Sequence, residues 1–208
     1  MATVDSTDDL GTLYATNIHG RIYAYNLKEI RVHSPSEHKI EGNSFDLELQ
    51  EIYEIKSEFT GITINVAIIS ILYTTSTSGA ESPLIEEFTS LTNSTNINMF
   101  ELLNATLPDP LVYFAYEGSY TTPNCAEVVN WYVIQKALPM SKLQLDAFTS
   151  LWAGNQSFAS GKGNNREIMN KNNRTVKKGG VQCEEQFIYF FSFVLLYAFI
   201  NYFIFKLL

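Results

Sequence analysis

Alternation between apolar and polar positions dominates the first third of the chain. Residues 11–34 read as two strands around a turn at Asn17–Gly20, with a period of two running through RIYAYNLKEIRVH. Residues 35–43 are a turn-rich connection, and residues 44–57 alternate again. Residues 62–73, ITINVAIISILY, break the alternation with a continuous β-branched run, which suits a strand buried on both faces. Residues 111–117 and 127–137 predict further strands. Helical spacing is confined to residues 83–92, with Pro83 in the first turn, and to residues 141–152, with Ser141 as N-cap. Residues 154–180 are rich in Gly, Asn and Lys and read as a surface loop or extended arm. The pattern therefore predicts a mostly β (α+β) domain over residues 1–180, built on a twisted central sheet with short helices.

Residues 181–186 read as a linker, and residues 187–208, FIYFFSFVLLYAFINYFIFKLL, carry no acid and only Lys206 as a base. As a helix this segment reaches ~33 Å, enough for a hydrocarbon core of ~30 Å. The expectation is a C-terminal transmembrane helix that makes the membrane a partner. A cleaved lipid-anchor signal is the other membrane reading. The N-terminal segment has no basic stretch leading into an apolar core and does not read as a signal peptide. The side of the membrane therefore stays open between cytoplasmic and extracellular.

Net charge is −8, from 22 acidic and 14 basic residues, and this excludes a phosphate-neutralising nucleic-acid surface. The two cysteines, Cys125 and Cys183, form neither a disulfide scaffold nor a metal knuckle. There are only three histidines: His19, His33 and His38.

Four segments point in one direction. Glu29–Tyr53 contains PSEH at Pro35–His38, Glu41-Gly42 and Glu48-Leu49. YEGSYTTPNC occupies Tyr116–Cys125. Trp131 sits in VVNWYVI, and GNNREIMNKNNRTV closes the set at 163–176. Their order and spacing resemble those of alpha-type carbonic anhydrases, from residue 11 to about 176. The resemblance implies a zinc site of three histidines, two of them two apart on one strand and so on one face. Three imidazoles leave the fourth position to a water whose pKa the ion lowers to about 7. It also implies a gate in which the Thr of the T-T pair bonds the Glu of S-E-H.

The ligand positions depart from that pattern. They fall on Arg31, His33 and Gln50, so only His33 is retained. The second-shell positions fall on Glu29 and Glu48, and Tyr53 stands where the family has a further His. The gate pair is retained as Thr121 and Glu37, with Thr122 following. Arg cannot lose its proton in a protein, and Gln is a poor zinc ligand beside imidazole. Two readings of Arg31 follow: a guanidinium in the ion's place compensated by Glu29, Glu37 and Glu48, or a side chain turned to solvent.

The family's domain normally begins earlier, so the resemblance implies an absent N-terminal part that would carry the proton-shuttle His and the cysteine partner of Cys125. The expected function is a carbonic-anhydrase-related, membrane-tethered binding or structural module with no bound cofactor. Its protein partner, if it has one, is not named by the sequence. The alternatives are an active zinc carbonate dehydratase converting CO2 to bicarbonate, and a truncated product without function.

Overall fold

The computed structural model describes residues 12–90, 106–155 and 163–181. A single eight-stranded sheet forms the body. In chain order the elements are β1 (Thr12–Thr16), β2 (Ile22–His33), β3 (Leu47–Ile55), β4 (Val66–Thr75), α1 (Pro83–Ser90), β5 (Leu111–Gly118), β6 (Val129–Ile134), β7 (Leu138–Met140), α2 (Lys142–Thr149) and β8 (Lys177–Val181). The strand order is β1-β2-β3-β4-β6-β5-β8, with β7 alongside β4. Only the β4–β6 and β4–β7 pairs are parallel.

The alternating segments became the strands they predicted. β4 is central, and its continuous apolar run is buried from Val66 to Ile68 and again from Ser70 to Tyr73. The hairpin between β1 and β2 turns on Gly20 at φ 83°, a left-handed conformation that favours glycine. The Ser141 side chain accepts the Gln144 amide, completing a capping box at the start of α2. Gln144 also exchanges hydrogen bonds with Ser82 N and O, so the starts of α1 and α2 are tied together.

One face of the sheet carries the larger apolar cluster, which includes Tyr25, Leu49, Ile71, Leu84 and Ile134. Each such fully buried side chain contributes about 1.5–3 kcal/mol over leaving it in water. The other face carries a smaller cluster of Ile52, Val66, Ile68, Val129 and Trp131, and the polar residues discussed below lie beside it.

Three expectations need correction. The fold class included a transmembrane helix, but among the described residues no helix is long and apolar enough to cross a membrane. Residues 187–208, on which that expectation rested, lie outside the described residues, as does Cys183. The stretch read as a loop or arm contains β8, which pairs antiparallel with β5 from Leu111↔Val181 to Ala115↔Lys177. Lys177-Lys178-Gly179-Gly180 has no strand propensity of its own, so the strand exists through its partner. β7, with Pro139 at its centre, was likewise not anticipated; it only extends the end of β4.

Glu51 lies on the core-facing side of β3 and is fully buried. Tyr53 Oη donates to its Oε2 at 2.8 Å, while Oε1 has no partner among the described residues. Burial in this apolar surround pushes the carboxyl up to about 7, against a small opposing effect of the Tyr53 bond. A raised acid contributes stability that is complete below its unfolded value, near 4.5, and is lost as pH rises through 7. Glu51→Gln should therefore gain on the wild type between pH 5 and pH 8, by on the order of 2–3 kcal/mol. Urea denaturation of both proteins at the two pH values checks this; an unchanged difference would show that Glu51 does not ionise in the core.

Candidate functional site

The site grows from a register change in β2. Leu27 pairs with Tyr53, but Glu29 pairs with Ile52, so Lys28 is an extra residue in the strand. Such a bulge re-aims the residues that follow it. Leu27 and Ile30 both reach the large core, three positions apart. Glu29, Arg31 and His33 thereby face the opposite side, which is polar. There they meet β3 in the pairings Arg31↔Gln50 and His33↔Glu48.

Glu48 anchors this face. It is fully buried. Its Oε2 accepts the backbone N–H groups of Glu37 at 2.8 Å and His38 at 2.7 Å. Its Oε1 accepts from Gln50 Nε2, Ser70 Oγ and His38 Nδ1. Burial alone would raise its pKa, but the His38 charge and these donors overcome it and hold the carboxyl at about 2. His38 responds in the opposite sense: burial would lower it, yet the Glu48 carboxylate keeps it above its ordinary value. The His38 Nε2 meets Tyr116 Oη at 2.7 Å, and the ring packs edge-on against Trp131.

Arg31 is inside the cleft, not in solvent: its side chain is 15% exposed and that of Glu29 is 18% exposed. Nε and Nη2 bond the two Glu29 carboxylate oxygens at 2.8 and 2.7 Å, a bidentate pair. Nη1 donates to Thr122 Oγ1 at 2.7 Å, and the guanidinium lies 5.8 Å from the Tyr120 ring centre. The expected three-carboxylate surround is corrected to one carboxylate. Glu37 and Glu48 are taken instead by Gln50, whose Nε2 donates to both at 2.9 Å.

His33 is held from outside the strand. Its Nδ1 lies 3.2 Å from Asn164 O and 3.4 Å from Glu37 Oε1, and its Nε2 is buried without a partner among the described residues. Asn164 also bonds Ser34 N and Val32 O. Gly163 is required here, because a Cβ would meet Ser34 O at 2.5 Å. Arg166 N donates to Glu37 Oε1 at 2.7 Å. Thr121 Oγ1 is buried and has no partner among the described residues, so the implied Thr121–Glu37 hydrogen bond is not made here. Ser70 carried no signal in the sequence; Asn164 and Arg166 lay in a recognised motif without an assigned role.

The donor set does not suit the zinc that the resemblance implies. His33 Nε2 is free to ligate. Arg31 has no lone pair to offer, and Gln50 directs its amide nitrogen at two carboxylates. Among the described residues, no group of three His, Cys, Asp or Glu side chains is gathered to hold a metal ion.

A curled, mostly antiparallel sheet with few helices, carrying a polar cleft on two neighbouring strands, defines the class. The family model described as eukaryotic-type carbonic anhydrase matches residues 4–180, and the chain belongs to that family. A dioscorin of Dioscorea polystachya is 33% identical over 129 residues, covering 59% of this chain and 45% of the relative. A carbonic anhydrase of Neisseria gonorrhoeae is 28% identical over 160 residues, covering 76% of this chain and 57% of the relative. The chain spans about half the length of the curated relatives it matches. Among solved structures, a halotolerant carbonic anhydrase from Dunaliella salina superposes with a TM-score of 0.65 at 25% identity, covering 78% of this chain and 64% of that one. A dioscorin complexed with ascorbate superposes at 0.62 with 27% identity, covering 86% and 70%.

Glu48→Ala should cost about 3–5 kcal/mol, because it leaves His38 and two backbone amides buried without their acceptor. Hydrogen exchange at the Glu37 and His38 amides should accelerate more than exchange in β5 and β6. Equal acceleration everywhere would show that Glu48 does not anchor this connection locally.

Proposed function

We propose that this domain is a carbonic-anhydrase-related binding module in which the Arg31 guanidinium takes the place of the catalytic ion. The carrying observation is the pairing of Arg31 with Glu29 and Thr122, which puts a permanent cation at a metal-ligand position. A dication beside that guanidinium would meet like-charge repulsion in a partly buried cleft. Gln50 supports the same reading, since its amide nitrogen donates hydrogen bonds to Glu37 and Glu48 without a metal. On this reading the domain does not hydrate CO2, and no zinc is needed for it to fold.

The test uses the full 208-residue chain produced with zinc supplied. Mass spectrometry should find zinc well below one per chain, and stopped-flow assays should find CO2 hydration at the buffer rate. One zinc per chain with hydration above buffer would overturn the proposal and restore the carbonate dehydratase reading. The double variant Arg31→His/Gln50→His should raise zinc uptake toward one per chain, because it completes a three-imidazole set with His33.

A further inference from the structure

The 119–127 loop, the start of the connection after β2, and the 163–176 segment border a half-open cavity of about 590 Å3. That volume suits a small organic ligand. Glu37 and Thr121 belong both to its wall and to the cleft described above; Arg31, Glu29, His33 and Gln50 do not line it.

Lys39, Arg166, Lys171 and Arg174 line the cavity, as do Glu37, Glu127 and Glu167. Most of the acidic capacity is already engaged. Glu127 accepts from Arg174 Nη2 at 2.6 Å, and Glu37 accepts from Gln50 and from Arg166 N. The Arg166 guanidinium, by contrast, makes only a long 3.4 Å contact among the described residues, to Tyr120 O. Lys39 and Lys171 enter no ion pair among the described residues. Among the described residues the uncommitted charge is therefore positive, with Glu167 its only uncommitted opponent. At the rim, Ile168, Met169 and Val176 are 54%, 61% and 41% exposed.

We propose that this cavity binds a small organic monoanion, a carboxylate on an apolar body. Arg166 receives the anionic group, because a planar guanidinium donates paired N–H bonds to the two oxygens of a carboxylate. Ile168, Met169 and Val176 receive the apolar body. The assignment is independent of whether the Arg31 cleft holds an ion.

The test titrates the full chain with benzoate, benzyl alcohol and benzylamine by calorimetry. Benzoate should saturate, with the alcohol and the amine at least tenfold weaker. Arg166→Gln should weaken benzoate about tenfold and leave the alcohol unchanged. The substitution keeps the Arg166 backbone N–H that holds Glu37, so the melting temperature should not move. Ile168→Ser/Met169→Ser should weaken benzoate and the alcohol alike. Thr122→Val, which disturbs only the Arg31 cleft, should leave benzoate affinity intact. Absent saturation, an equal affinity for all three probes, or a loss on Thr122→Val without one on Arg166→Gln would each overturn the proposal.

Discussion

The buried carboxylate of Glu48 is the constraint from which the polar face follows. A charge taken out of water is tolerated only where donors surround it. Here the donors come from three parts of the chain: the connection after β2 through Glu37 N and His38 N, β4 through Ser70, and β3 itself through Gln50. Satisfying one side chain thus fixes the path of the 34–46 connection over the sheet. It also fixes His38, whose far nitrogen reaches Tyr116 on β5. The carboxylate joins strands that are neighbours in space but distant in sequence.

Two glutamates on β3 show how far the surround decides chemistry. Glu48 and Glu51 are three positions apart, so they lie on opposite faces of the sheet. Both are fully buried. Glu48, with His38 and a set of N–H and O–H donors, is held at about 2, whereas Glu51, with one phenol, rises to about 7. Their pH windows differ accordingly. The Glu48 contribution is complete above its unfolded value near 4.5 and fails as pH falls through 2. The Glu51 contribution is complete below that same value and fails on the alkaline side. His38, raised by Glu48, contributes fully below 6.5 and loses its contribution as pH climbs through its folded value.

Much of this was legible before the structure, because periodicity reports which face of a strand is buried. β2 and β3 followed from alternation, β4 from its continuous apolar run, and the start of α2 from the capping chemistry of Ser141. β8 did not, because Gly and Lys carry no period and the strand forms only against β5. In the site, the residues at the ligand positions were legible from motif spacing, but their partners were not. One of the two sequence readings put Glu29, Glu37 and Glu48 together around Arg31. The bulge at Lys28 and the length of the Gln50 side chain instead divide those acids into two groups. Hydrogen-bond partition within a cluster depends on ångström-scale reach, which spacing along a strand does not encode.

That partition makes Arg31 and Gln50 a coupled pair. Arg31 neutralises Glu29, and Gln50 occupies Glu37 and Glu48. Replacing Arg31 alone would leave Glu29 in a cleft with its cation gone. Replacing Gln50 alone would free Glu37 and Glu48 oxygens beside the existing guanidinium. Neither single change arrives at a metal site, and each creates an uncompensated carboxylate acceptor that the intact pair does not have. Residues sharing one network of this kind are not additive. On the proposed reading the two departures at the implied ligand positions belong together, the guanidinium satisfying Glu29 and the amide satisfying Glu37 and Glu48.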